Sequence, residues 1–385
     1  MIKIELDKDI RTKLEKTHWK WFLCRLRKKC KWNLDKTYYQ YLFENLILLD
    51  SVECGYSEND KTKLWNQRLR YLVVGYQDNS FSSASGEIVN FSFFEKLNGP
   101  RQYSVRQKKN ESRIDYLKRL GALNRKKRIF DHFSEIFGYE DFSSASQNDS
   151  EWYSQNQEWY GVFLRRNKNK DWNNKILCEK LHIDVCPYCN RQYIYTYKKG
   201  NSNKNTAEID HFRPKQKYPY LSCSLYNFIP ACHTCNFVKH QKDENIVYPY
   251  MECFSDDGKF EIKRDDSQEM KIPIDVRNST VKVTIVEKED SLIKEKIKNS
   301  KKMFCLEEIY SKHQLDVGDL LLRYNEYGKM KMKEIAKVMK LPEATVRKMV
   351  LGLPLQVDER KEYVLRKFKD DIIDQLEQKS KEISQ

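Results

Sequence analysis

The spacing of apolar positions changes along the chain, and the changes divide it into regions. In residues 8–30, Ile10, Leu14, Trp21 and Leu26 recur at roughly helical intervals, and the stretch runs into the basic cluster at 25–31. Segments 34–50, 58–76 and 111–138 carry the same amphipathic pattern and predict three more helices. The string Phe-Ser-Ser-Ala-Ser occurs at 81–85 and at 142–146. Five residues are too few for an internal repeat, so both read as polar linkers, the second running to Ser154 as a boundary. After residue 186 the pattern shortens. Gln192-Tyr-Ile-Tyr-Thr-Tyr197 is aromatic and β-branched and predicts a strand, 198–205 a polar turn, and 207–211 a second short strand. A helix is expected to start within 233–242. Residues 259–263 and 280–286 alternate like strands, and the last hundred residues return to helical spacing. Within them, 333–352 has the apolar spacing of a helix-turn-helix with Ala336 and Val346 at its packing positions, a pattern that ordinary antiparallel helices also make.

Composition sharpens this picture. The chain of 385 residues has room for two or three domains, and 39% apolar residues suffice for packed cores. Only 12 Gly and 9 Pro agree with long helices and few tight turns. Lys and Arg number 71 against 56 Asp and Glu, a net charge of +15, which favours a polyanionic partner such as nucleic acid. The first residues are charged and lack the apolar centre of a signal peptide, and no eighteen apolar residues run together, so no membrane association is expected.

The 11 cysteines are an odd count without a secretion signal, which fits a reducing, cytoplasmic setting. Seven of them (Cys24, Cys30, Cys54, Cys178, Cys223, Cys253 and Cys305) are scattered and expected to be small buried side chains. The other four form two CxxC pairs, Cys186-Pro-Tyr-Cys189 and Cys232-His-Thr-Cys235, the spacing with which four thiolates converge on one tetrahedral Zn²⁺. Such an ion does no chemistry but contributes roughly 10–16 kcal/mol of apparent binding energy to the fold around it. Between and beside the pairs lie Asp210-His211, Asn227 and Asn236. His233, inside the second pair, is expected on the surface. The other Asp-His pair, Asp131-His132, has no cysteine frame and reads as part of an amphipathic helix.

Asp210-His211, Asn227 and Asn236 within two CxxC pairs resemble the zinc-framed HNH endonucleases. The likeness extends to the local wording Glu208-Ile-Asp-His-Phe-Arg-Pro-Lys215, Tyr218-Pro-Tyr-Leu221, Leu225-Tyr-Asn-Phe-Ile-Pro-Ala-Cys232 and Cys235-Asn-Phe-Val-Lys239. This wording is most similar to HNH nucleases of bacterial anti-phage systems, the Septu-type and retron-associated ones among them. The resemblance covers about 180–250 strongly, and the 304–313 segment is weakly similar to the helical stretch after the nuclease core in such proteins.

Apolar spacing and the resemblance together predict an α+β, mainly helical protein. The spacing gives a helical N-terminal domain (1–150), which the resemblance does not cover and whose role is unassigned, and a mixed, then helical C-terminal region (256–385). The resemblance implies a ββα-metal (HNH) core with a four-cysteine zinc site (178–255). It implies a metal-dependent endonuclease hydrolysing phosphodiester bonds, with double-stranded DNA as the expected substrate, a role in anti-phage defence and an ATPase or sensor protein as partner. Such hydrolysis needs a deprotonated water and a cation to absorb developing charge, and a histidine of near-neutral pKa suits the base. His211 matches the general base and Asn227 the residue bracing the loop that orients it. Asp210 and Asn236 match the ligands of a catalytic Mg²⁺ or Mn²⁺, joined by His240 one helical turn on, and Arg213, Lys215 and Lys239 suit phosphate contacts. Asn236 stands where many relatives have histidine, an HNN form. Two alternatives carry the same motifs: a non-catalytic zinc-dependent nucleic-acid-binding module, and a mobile-element or recombination HNH nuclease.

Overall fold

The computed structural model describes residues 1–29, 73–74, 111–120, 172–200, 202–218, 221–264, 281–354 and 363–383. Helix α1 (Lys8–Lys29) begins where the Asp7 carboxylate accepts from the Asp9 and Ile10 backbone amides. It buries Leu14, His18, Trp21 and Phe22, with Ile10 packed at the edge. Helix α2 (Asn174–Leu181) is capped by the Asn173 side chain, which accepts from Lys175 and Ile176 N–H, and its buried Leu177, Cys178 and Leu181 lie on one face. Residues 113–120 are also helical, and the rest of the helix expected at 111–138, with Asp131-His132, lies outside the described residues. So do the helix expected at 34–50, nearly all of 58–76, both Phe-Ser-Ser-Ala-Ser strings, Cys30 and Cys54.

The sheets are small. Strand β1 (Thr196–Lys199) pairs antiparallel with β2 (Ser202–Asn205). The polar turn expected over 198–205 is therefore mostly strand, and the reversal is confined to the residues around Gly200, whose φ of 59° suits glycine. Strand β3 (Glu208–His211) pairs antiparallel with β4 (Phe228–Ala231), Asp210 opposite Ile229 and His211 opposite Phe228. The sequence reading missed β4 because Pro230 argues against a strand, yet in a two-stranded sheet its missing N–H can face away from the ladder. One residue later begins α3 (His233–Lys239), which packs on β3.

Strands β5 (Gly258–Arg264) and β6 (Val281–Glu287) form the third antiparallel pair. Among the described residues, six helices come next: α4 (Lys294–Met303), α5 (Leu306–Tyr310), α6 (Gln314–Tyr327), α7 (Lys329–Met339), α8 (Glu343–Val350) and α9 (Arg366–Ile383). They satisfy both outer edges of this sheet. On β5, Phe260 N–H donates to Asp371 and Ile262 N–H to Gln375, both from α9. On β6, Val281, Val283 and Ile285 N–H donate to Gln314, Ser311 and Glu307. Side chains thereby take the place of neighbouring strands and close edges that would otherwise invite pairing. Helices α7 and α8 pack together over the region expected as a helix-turn-helix, with Ala336 and Val346 buried.

Buried side chains from Met1 to Leu376 form one continuous cluster, so the regions expected at 1–150, 178–255 and 256–385 share a core among the described residues. Cys178 and Cys223 are buried as expected of scattered cysteines, whereas Cys253 is half-buried and Cys305 is exposed. Cys305 sits in the tight turn between α4 and α5, with φ of 47°.

Candidate metal centre and catalytic pocket

The two CxxC pairs arrive from different elements. Cys186 and Cys189 lie in a turn closed by Asn190 N–H donating to the Cys186 carbonyl, with Asn190 in the left-handed region (φ 49°). Cys232 caps α3 and Cys235 sits in its first turn. All four are buried and their sulfurs lie within 4.8 Å of one another; Cys189 and Cys232 Sγ are 3.9 Å apart. That is far from a disulfide and close to the roughly 3.8 Å that tetrahedral ligands about 2.3 Å from Zn²⁺ require. Four thiols so close cannot all ionise without a cation among them. The cluster can hold a metal ion such as zinc.

Helix α5 and the segment before it pack on this turn. Tyr310 donates to the Cys189 carbonyl (2.6 Å), and the Phe304 ring stacks on Tyr188 with centroids 4.8 Å apart. Tyr188, between the first two cysteines, donates to Asp210 (2.6 Å) and so couples the cysteine turn to the strand pair.

A cavity of about 350 Å³ opens beside β3 and α3, lined by Glu208, Asp210, His211, Lys215, Asn236 and His240 among others. The structure thus brings together the expected base and the three expected metal ligands with one of the three basic residues. His211 Nε2 lies 3.0 Å from the Ser222 carbonyl. A carbonyl only accepts, so Nε2 carries the hydrogen and Nδ1 is the basic nitrogen of the neutral ring. The Phe228 ring meets the imidazole edge-on at 5.4 Å and further sets its orientation. Asn227 is fully buried. Its Oδ1 accepts from Arg213 N–H (2.7 Å) while Nδ2 donates to the Arg213 and Leu221 carbonyls, tying together both ends of the loop between β3 and β4.

Asp210 is only 2% exposed, and its carboxylate accepts from Tyr188 and from Lys239 Nζ, which also donates to the His211 carbonyl. Burial raises the Asp210 carboxyl above its usual range, offset in part by Lys239 and Tyr188; burial lowers the Lys239 ammonium, offset in part by Asp210. The expectation that Lys239 contacts phosphate is corrected: it is 1% exposed and serves Asp210 from inside. Strand alternation explains this, because Asp210 points toward α3 and the long lysine stem spans the gap behind it. Arg213 is also engaged, with Nη1 3.0 Å from Asp243, which Lys217 and Tyr218 contact too. Burial opposes the charge on Asp243, but those three donors outweigh it and hold its carboxyl below the ordinary value. Lys215 is exposed and faces the cavity.

No family model matches this chain, and neither does any curated protein or solved structure. What the site can do is therefore argued from its own residues.

Three side chains missing from the sequence reading complete the site, two on the cavity wall and one, Tyr188, buried behind Asp210. Glu208, two residues before Asp210 on the same face of β3, accepts from Asn236 Nδ2 and lies 2.7 Å from His233 Nδ1. Burial opposes its charge, but Asn236 and His233 outweigh that and its carboxyl sits below the ordinary value; the same contact raises the exposed His233 imidazole. Phe237, 71% exposed, stands on the cavity wall as an apolar surface in an otherwise polar site. Tyr188 is the third. The i, i+2 spacing from Asp210 was a signal for Glu208; nothing in the sequence pattern pointed to the other two.

Proposed function

We propose that the chain is a metal-dependent endonuclease of the HNH type, its β3–β4–α3 unit serving as the ββα-metal core and the four cysteines holding structural zinc. The observation that carries this reading is His211: a half-buried imidazole lining a polar cavity, oriented by its Nε2 contact with a backbone carbonyl. In this reading Nδ1 takes a proton from the attacking water, Asn227 keeps the loop and its Ser222 carbonyl in register, and Lys215 holds the phosphodiester.

The donor set around the cavity suits a hard divalent cation such as Mg²⁺ or Mn²⁺. Glu208 and Asp210 offer carboxylates, Asn236 an amide oxygen whose Nδ2 is already committed to Glu208, and His240 an imidazole. When bound, such an ion stabilises charge on the phosphate and leaving oxygen. The +15 charge supports a nucleic-acid substrate, with double-stranded DNA first. The defence role and the ATPase or sensor partner come from the resemblance alone, and the cytoplasmic location from cysteine usage; no helix among the described residues is long and apolar enough to cross a membrane.

One observation favours the second reading, a zinc-clamped binding module without catalysis: the Asp210 carboxylate is already held by Tyr188 and Lys239. Purified protein incubated with plasmid DNA separates the two. Cleavage that requires Mg²⁺ or Mn²⁺ and disappears in His211→Ala is expected. DNA binding without cleavage under either ion overturns the nuclease reading.

A further inference from the structure

Tyr193, Tyr195 and Tyr197 are 40%, 46% and 50% exposed, while Ile194 between them is buried. Alternate residues of an extended chain point to one side, so the three rings share a face. Tyr193 and Tyr195 already stack, with centroids 5.1 Å apart and planes at 16°. Lys199 continues the same face two residues on. Lys204, paired directly with Tyr197 across the β1–β2 ladder, joins it. The opposite face of the hairpin is covered, because α2 packs on β1 and β2 and Asn205, opposite Thr196, donates to Cys178 of that helix. From 185 to 207 the chain has no Asp or Glu and carries Arg191, Lys198, Lys199 and Lys204. Asp184 lies at the foot of the ladder, beside Tyr195, and the lysines lie at its tip.

A row of solvent-facing rings is costly in water unless something covers it, and lysines along the same face specify a polyanion. Stacked duplex bases cannot offer their faces to such a row; unpaired bases can, and base–aromatic stacking tolerates any sequence. The geometry points to a stacking platform for single-stranded nucleic acid on the β1–β2 hairpin, with Lys199 and Lys204 on the backbone phosphates. The platform also adjoins the cavity. Tyr195 N–H donates to Thr206 Oγ1 and its carbonyl accepts from Thr206 N–H, two residues or roughly 7 Å before Glu208. Binding to the platform is independent of the nuclease reading; only the cleavage of the bound strand rests on it, and the platform then names the substrate as nucleic acid with an unpaired segment.

The test is fluorescence anisotropy of the full chain with a labelled oligodeoxythymidine and with a labelled duplex, with no divalent ion added. Wild type is expected to bind the single strand more tightly than the duplex. Joint Tyr193→Ala, Tyr195→Ala and Tyr197→Ala should weaken single-strand binding about 10- to 100-fold, while the three Tyr→Phe changes keep it within about twofold. Joint Lys199→Ala and Lys204→Ala should lower the slope of log affinity against log salt by about one to one and a half. An alanine triple that is folded by circular dichroism and binds like wild type overturns the platform, as does a wild type without single-strand preference. Cleavage of plasmid is read separately. Cutting with unchanged binding in the alanine triple sinks the platform and leaves the nuclease; the predicted binding losses without cutting do the reverse.

Discussion

Asp210 is where the proposed catalytic role and the structural demands on this site meet. Its carboxylate and the Lys239 ammonium form an ion pair with almost no access to water, 3.1 Å apart. Removing one partner of such a pair strands a buried charge at a cost of about 3–5 kcal/mol, whereas replacing both with neutral groups is far milder. Lys239→Met should therefore lower stability strongly, and adding Asp210→Asn should recover most of the loss. Chemical denaturation of the two variants checks this; equal stability of the single and double variants would show that the pair is not coupled. Asn227 is the second such residue. With no exposure and three hydrogen bonds to the loop between β3 and β4, Asn227→Ala should cost about 2–4 kcal/mol and reduce any cleavage sharply while leaving the zinc content unchanged.

Helix α1 acts on the site from behind. His18 is fully buried, with Nε2 2.8 Å from the Cys223 carbonyl, Nδ1 accepting from Trp172 Nε1–H (2.9 Å), and Phe228 edge-on at 5.9 Å. Two histidines thus grip adjacent carbonyls, His211 on Ser222 and His18 on Cys223, with Phe228 between the rings. Tyr226 adds a bond to Glu15 of the same helix. Burial lowers the His18 imidazole to about 4, partly opposed by the Cys223 bond. Above about pH 6.5 the ring is neutral folded or unfolded and contributes no pH dependence. As pH falls below that, only the unfolded chain takes up the proton, so the folded state loses about 3 kcal/mol by about pH 4. The melting temperature of wild type should fall over this window more steeply than that of His18→Gln, and parallel curves would refute the assignment.

Across the whole molecule the cysteine cluster joins parts distant in sequence. Asn190, just after Cys189, accepts from Leu365 N–H and from Lys367 N–H, anchoring the start of α9, which in turn borders β5. Tyr310 brings in α5, and Tyr188 reaches the cavity. Cys232→Ser should therefore lower zinc content in elemental analysis, lower the melting temperature, and speed hydrogen exchange at Leu365 and Lys367 as well as near Asp210. Exchange that quickens only at the cysteines would mean that the cluster holds nothing beyond its own turn. The two proposed metals separate in the same way. Brief chelation should stop cleavage, added Mg²⁺ or Mn²⁺ should restore it, and zinc should remain in Asp210→Ala; zinc loss in that variant would place the carboxylate in the cysteine site.

The parts of this protein that depend on short-range spacing were legible before any fold was known. Two CxxC pairs imply a convergent thiol cluster, because each turn can aim both sulfurs inward, and alternation marked the β5 and β6 strands. Helical spacing marked α1 and the C-terminal helices in the same way. What the spacing left open lay in contacts between distant segments. Pro230 hid β4, since a strand can keep proline only where a particular neighbour leaves its missing N–H unneeded. The polar string at 198–205 looked like a turn, yet most of it pairs as β1 and β2, with α2 packed against them and Tyr197 facing out. Lys239 looked like a surface cation until Asp210 was seen behind it. Whether a charge is exposed or buried, and which partner it meets, is set by three-dimensional neighbours that the order of residues does not name.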